Sequence, residues 1–291
     1  MMSPDESAAG QTMRPREFEQ IRKMVYSHCG VDLTGKQVLV TTRLSKKMRD
    51  LGFSSFEAYC EKVQQDQSGE LFTSMIDVLT TNHTSFFREM QHFDFLQKEI
   101  LPGFKNSGQI SVWSAACSSG EEPYSIAFSL AEFLGDSFFT RAKILATDIS
   151  TRILDQARKG LYPISRLQEI SVEMRRKCLL KGTGEYENYC LVKKEIRAQI
   201  EFKHFNLLDD CSRLGPFNVI FCRNVMIYFD QQTQEALVNR LTSRLVPGGH
   251  LLIGHSESLN GLQHHLQYVR PATYRKAGPG SDASSSRRSF Q

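Results

Sequence analysis

Two adjacent carboxylates, Glu121 and Glu122, follow a run of small residues from Ser114 to Gly120 and stand at what reads as a helix start. A phosphate would want bare amides there, whereas two carboxylates suit a ligand that carries positive charge. The small side chains let such a ligand approach the backbone closely. The loop is not a dinucleotide fingerprint, because only Gly120 is glycine, and it has no Gly-Lys-Ser/Thr of a phosphate loop. S-adenosylmethionine, with a sulfonium, an ammonium and two ribose hydroxyls, fits it. By themselves the two glutamates are better read as complementing the helix dipole. Residues farther along favour the ligand.

The first of these is Asp148, which ends the apolar run Lys143-Ile144-Leu145-Ala146-Thr147. An acid ending the second strand of an open α/β sheet is where the ribose hydroxyls of an adenosyl group sit. Thr80 to Arg88 is polar and cap-rich; it would serve as a linker, or supply hydrogen-bonding side chains and one guanidinium to the crevice. His83 and His92 have no ligand partners at metal spacing and read as structural. The seven cysteines are odd in number and scattered, without metal-ligand spacing, and are expected as reduced thiols. No convincing Ser/His/Asp or Cys/His set occurs.

The elements that must position these residues follow from periodicity. Gln109 to Trp113 alternates as a strand, and Ile126, Ala127, Leu130, Ala131 and Leu134 recur at helical spacing after Pro123. A second strand ends at Asp148 and a Ser150-capped helix runs through Ala157. Strands are expected at 200–205, 217–222 and 250–254, a helix at 231–245, and a last strand at 268–275. Between them 160–202 interrupts the α/β alternation: a helix over 171–180, a turn at 182–184, and short antiparallel strands at 189–192 and 195–202. This predicts a small β insertion projecting from the sheet. It is either a stabilising excursion or an edge that captures an extended peptide.

Ahead of the α/β part, helices are expected over 16–29, 36–51, 54–63 and 70–79. Residues 1–80 hold 10 Lys and Arg against 11 Asp and Glu, about −1 net, in a chain of +4 overall. Yet Lys36, Arg43, Lys46, Lys47 and Arg49 follow one another with no acid between them. That helix is either a solvated face or a docking face for an acidic partner. No aromatics interleave the basic residues, which weakens a nucleic-acid reading. No stretch approaches a transmembrane length, and the polar start is not a signal peptide. The chain divides into a disordered start at 1–14, a helical domain at 15–80, a linker at 81–95, an α/β domain at 96–277 and a disordered tail at 278–291.

Strand-loop-helix, Asp148, Asn206-Leu207 after strand three, a polar-aromatic end to strand four and Pro247-Gly248-Gly249 together resemble a class I S-adenosylmethionine-dependent methyltransferase, a doubly wound Rossmann-like sheet. Ser114 to Ser125, Thr80 to Arg88 and Phe221-Cys222-Arg223-Asn224-Val225-Met226-Ile227-Tyr228-Phe229-Asp230 closely resemble the bacterial chemoreceptor glutamate methyltransferase, the CheR family. The resemblance covers roughly residues 15 to 276. It implies that Asn82, Thr84, Arg88, Glu122, Asp148, Asn206, Leu207, Arg223 and Asn224 line the cofactor site. Asp148 would hold the ribose and Asn206-Leu207 the adenine edge. Arg88 and Tyr228 would lie nearest the transferred methyl. Arg43, Lys46, Lys47 and Arg49 would meet the receptor's cytoplasmic methylation helices. In some members the β insertion binds a receptor's C-terminal peptide. The product would be S-adenosylhomocysteine; no metal is called for, and the enzyme would be a cytoplasmic monomer.

A glutamate with a pKa near 4.3 is ionised at neutral pH, so methyl transfer to it needs no general base. Alignment and exclusion of water would carry the rate. Two rival readings stand beside this one. One is a nucleic-acid methyltransferase, which would need a broad basic surface. The other is a catalytically inactive module that binds receptor and S-adenosylmethionine.

Overall fold

The computed structural model describes residues 12–80, 82–104 and 108–278. Most of both termini expected to be disordered, and Thr81, lie outside the described residues. Four helices come first: α1 (Pro15–Cys29), α2 (Gln37–Asp50), α3 (Phe56–Gln65) and α4 (Glu70–Leu79). Each arises from the spacing of its apolar residues. Val40, Leu44 and Met48 of α2 form one buried stripe, and Ile21, Val25 and Cys29 form another on α1. Ser55 caps α3 by accepting from the Ala58 amide at 3.1 Å. These stripes meet Tyr59, Met75 and Ile76 in a core of their own.

Next, α5 (Gln91–Phe95) runs into a π-helical turn at Leu96–Ile100 and a 3-10 turn at Leu101–Phe104. The alternating part then follows as β1 (Ile110–Ala115), α6 (Glu121–Leu134), α7 (Phe138–Arg141), β2 (Ala142–Asp148) and α8 (Thr151–Lys159). The insertion comprises β3 (Leu161–Pro163), α9 (Val172–Cys178), β4 (Leu179–Lys181), β5 (Tyr189–Val192) and α10 (Lys194–Arg197). The chain returns with β6 (Ile200–His204), β7 (Phe217–Cys222), α11 (Gln231–Arg244), β8 (Leu245–Ile253), β9 (Leu266–Arg270) and β10 (Thr273–Lys276).

The main sheet has the order β6-β2-β1-β7-β8-β10-β9. The first five are parallel, and β10 is antiparallel to both of its neighbours. Strand alternation sends Val112, Ile144, Val219 and Phe221 into the core on one face. It sends Trp113, Leu145, Ile220 and Cys222 into the core on the other. This is the doubly wound sheet expected from the sequence. Its strand order reverses at β1, which lies between β2 and β7, so a crevice opens beyond the carboxyl ends of β1 and β7.

Several elements differ in detail from expectation. The helix expected over 171–180 ends at Cys178, because Leu179 to Lys181 pair with β5 as an edge strand. Residues 195–202 are not an insertion strand. Lys194–Arg197 is one helical turn that buries Ile196, and Ile200 onward joins the main sheet beside β2. The last strand is a hairpin rather than one run. Pro271 lacks an amide for the ladder and Ala272 takes a left-handed φ of 58°, so the chain turns there. Pro247-Gly248-Gly249 sits within β8 as an irregularity between the Phe217–Leu245 and Val219–His250 pairs. Among the described residues no helix is long and apolar enough to cross a membrane.

Candidate active site

The loop after β1 is held tightly. The Cys117 amide donates to the Thr147 carbonyl at 2.8 Å, and the Ser118 amide donates to Asp148 Oδ2 at 2.8 Å. Ala116 and Ser118 take left-handed φ of 69° and 50°. Gly120, at φ 96°, packs where an added Cβ would lie 2.8 Å from Ala157 Cβ and Tyr162 Oη, so only glycine fits. Five non-glycine left-handed residues (Phe87, Glu89, Ala116, Ser118 and Asn224) stand in the loops around this crevice. Such conformations cost about 1 kcal/mol each and gather where surrounding structure imposes them.

Asn82, Thr84, Arg88, Glu122, Asp148, Asn206, Leu207, Arg223, Asn224 and Tyr228 all line one cavity of about 380 Å³. That volume suits a ligand of small-cofactor size. Asp148 Oδ1 also accepts from the Ser150 amide at 3.0 Å. Burial pushes its pKa up, while the backbone amides oppose that rise. The carboxylate lines the cavity as an acceptor, which suits ribose hydroxyls. Asn206 donates from Nδ2 to the His28 carbonyl at 2.6 Å, tying the loop after β6 to α1.

The two glutamates of the helix start part company. Glu121 is fully buried and turned away from the cavity, accepting from Arg166 Nη1 at 2.7 Å and Ser119 Oγ at 2.6 Å. Of the pair, Glu122 alone lines the cavity. It accepts from Ser114 Oγ at 2.7 Å and from Arg223 Nη1 at 2.9 Å. The expectation that both would face a cationic ligand is therefore corrected. Arg223 is almost fully buried and also reaches Glu89 Oε2 at 2.9 Å and the Arg88 carbonyl. Asn224 Nδ2 donates to Glu89 Oε1 at 3.2 Å. Arg223 thus ties Glu122, which lines the cavity, to Glu89 behind it.

Two supporting carboxylates have no signature in the sequence. Glu89 is one. Glu257 is the other: its carboxylate accepts from the amides of Asn224, Met226 and Gly254 and so fixes the loop after β7. Burial pushes the Glu257 pKa up against those amides. The helical part also contributes more than expected. Val31, Leu33, Lys36 and Leu39 line the cavity, and Lys36 Nζ lies 5.2 Å from the Tyr228 ring centroid. The Asp32 amide donates to the Tyr228 carbonyl at 2.8 Å, so the segment between α1 and α2 roofs the site. Of the basic residues on α2, Arg43 donates to the Leu79 and Thr80 carbonyls and closes the end of α4. Lys46 and Arg49 are exposed, and Lys47 is half-buried. The seven cysteines are buried and unpaired by disulfides. Burial pushes the thiols of Cys117 and Cys222 well up, which disfavours their thiolate forms.

Residues 82–275 match the family model described as CheR methyltransferase, SAM binding domain, and residues 16–80 match CheR methyltransferase, all-alpha domain. The chain belongs to the CheR methyltransferase family. It is 39% identical over 269 residues to a chemotaxis protein methyltransferase of Borreliella burgdorferi, covering 89% of this chain and 94% of that one. It is 40% identical over 263 residues to chemotaxis protein methyltransferase 2 of Pseudomonas aeruginosa, covering 90% and 93%. It is 39% identical over 251 residues to the chemotaxis protein methyltransferase of Escherichia coli, covering 86% of each. As a CheR-family protein it is an S-adenosylmethionine-dependent methyltransferase, and neither rival reading of the sequence is favoured.

Proposed function

We propose that this chain transfers the methyl group of S-adenosylmethionine to glutamate carboxylates on the cytoplasmic methylation helices of chemoreceptors, giving methyl esters and S-adenosylhomocysteine. The observation that supports this reading is the cavity at the strand-order reversal, lined by the ten residues that the resemblance assigned to cofactor and methyl transfer. Asp148 would take the ribose and Asn206-Leu207 the adenine edge. Glu122, its charge shared with Arg223, would face the cationic part of the ligand. Arg88 and Tyr228 would lie nearest the transferred methyl.

S-adenosylmethionine supplies a methyl activated by its sulfonium. The protein's part is to align an already ionised glutamate with it and to exclude water. Arg88 donates from Nη1 to the His83 carbonyl at 2.9 Å, which leaves other guanidinium N–H groups for an incoming carboxylate. A tight bidentate pair there would stabilise the ground state and slow attack, so Arg88 is assigned orientation rather than strong binding. Tyr228 would fix geometry through its hydroxyl.

For the receptor helices the exposed stripe of Leu39, Lys46 and Arg49 on α2 is the proposed meeting face. It continues into the cavity through Leu39. Arg43 belongs to it less, being committed to the end of α4. The insertion presents β4 as an edge strand, with Leu180, Tyr186 and Tyr189 exposed, where a receptor's C-terminal peptide would add. A cytoplasmic monomer completes the proposal. The test is transfer from labelled S-adenosylmethionine with receptor cytoplasmic fragments, tRNA and DNA offered side by side. Label on the receptor fragment, released as methanol by mild alkali, is the expected result. Stable label on nucleic acid would overturn it.

A further inference from the structure

Behind the cavity floor, three side chains converge that the methyl-transfer reading does not use together. His92 of α5 is 2% exposed, and neither of its ring nitrogens has a hydrogen-bond partner. A buried polar group without a partner is costly, so its persistence calls for an explanation. Glu89 Oε2 lies 3.6 Å from His92 Nδ1 and 4.0 Å from Nε2 of His255, which follows β8. The three ligand atoms lie within 4.8 Å of one another. The His255 amide donates to Glu89 Oε2 at 3.1 Å, and the His92 and His255 rings meet edge to face at 4.8 Å.

We propose that Glu89, His92 and His255 form a site for a divalent transition ion of the zinc type, through which such ions inhibit the enzyme. Two imidazoles and a carboxylate are a zinc ligand set that leaves a fourth position for water. Bonds of about 2.1 Å at tetrahedral angles put ligand atoms about 3.4 Å apart, so two of the three contacts are near their bound lengths. The remaining adjustment falls on His255, whose side chain is 40% exposed and has room to turn.

Arg223 is the strongest objection to a cation here, since it touches the same Glu89 oxygen at 2.9 Å. An ion binds there by displacing Arg223 from that oxygen. The same contact gives the ion its effect. An ion that draws Glu89 toward the two histidines pulls it from Arg223, which also holds Glu122 and the Arg88 carbonyl. The cavity floor and the segment carrying Arg88 then lose a common support. Ion binding is independent of what the enzyme methylates; only the inhibition rests on the methyl-transfer reading.

The test uses the full chain and cobalt(II) as a visible probe, with zinc affinity read by competition against a chromogenic chelator. One equivalent of cobalt with tetrahedral absorption and micromolar zinc affinity is expected. His255→Ala keeps the backbone amide to Glu89. It is expected to weaken zinc binding at least tenfold, to leave metal-free methyl transfer unchanged, and to abolish zinc inhibition. Equal affinity in wild type and His255→Ala would overturn the proposal, as would no uptake at all. A thiolate-to-cobalt charge-transfer band would overturn it too, by assigning the ion to cysteines. His92→Gln serves as the second variant, and retention of full affinity by it would also overturn the site.

Discussion

The Arg223 guanidinium and the Glu122 carboxylate meet at 2.9 Å across the cavity floor, 101 residues apart in the chain and both withdrawn from solvent. Arg223 leaves the end of β7 and Glu122 opens α6, so the pair bridges the two sides of the sheet's reversal point. Breaking a buried pair leaves a charge uncompensated, which typically costs about 3–5 kcal/mol. Arg223→Lys keeps the charge but loses the fork that reaches Glu122, Glu89 and the Arg88 carbonyl at once. We expect it to lower stability by about 2 kcal/mol and S-adenosylmethionine affinity by about tenfold. Denaturant melts and calorimetric titration measure the two. A variant with wild-type values in both would show that the bridge is not needed.

Tyr228 is tied to the fold through its backbone carbonyl and its ring, by Asp32 and Lys36. Tyr228→Phe keeps both contacts and removes only the hydroxyl. Turnover is therefore expected to fall at least tenfold while cofactor affinity stays within about twofold, the pattern of an interaction made in the transition state. Equal losses in both would instead assign the hydroxyl to cofactor binding.

Gly254 closes against the loop after β7. A Cβ there would lie 2.4 Å from Asn224 Nδ2 and 2.8 Å from Glu257 Oε2. Gly254→Ala should cost about 1–3 kcal/mol through overpacking and should displace Asn224 from the cavity. Loss of cofactor affinity beyond what the melting temperature explains is the expected readout.

On α2, Lys46 and Arg49 face solvent while Arg43 closes the end of α4. The double change of Lys46 and Arg49 to Glu should raise KM for a receptor fragment about tenfold, more at low salt, and leave cofactor affinity alone. Arg43→Glu should act differently, by lowering the melting temperature. If all three behave alike, the face is not divided as the structure divides it.

His250 on β8 packs against Phe95, and burial, with Arg275 nearby, holds its pKa down at about 4. A depressed histidine contributes stability that is fully present above its unfolded value near 6.5 and is lost as pH falls through the folded value. Wild type should therefore lose stability between about pH 6.5 and 4 more steeply than His250→Gln. Parallel stability curves for the two proteins would refute this.

The sequence determined by itself most of what is local. Apolar spacing placed α1 to α4, alternation placed β1, and short continuous apolar runs placed β2 and β7, because burying a face at the wrong period is costly in any fold. The small residues of the β1 loop and Asp148 were singled out by their places at strand ends, where open α/β sheets bind ligands, whereas Asn206 and Arg223 to Tyr228 were named through the family resemblance. Tertiary structure alone decided which charges meet. Nothing near Glu121 says that Arg166 neutralises it, nothing near Glu122 names Arg223, and Glu89 and Glu257 carry no local mark at all. The same holds for His92 and His255, which have no common spacing and come together only because α5 lies beside the end of β8. Periodicity reports whether a side chain is buried, but the partner of a buried charge is set by the crossing of distant segments, and that is fixed only when the whole sheet is wound.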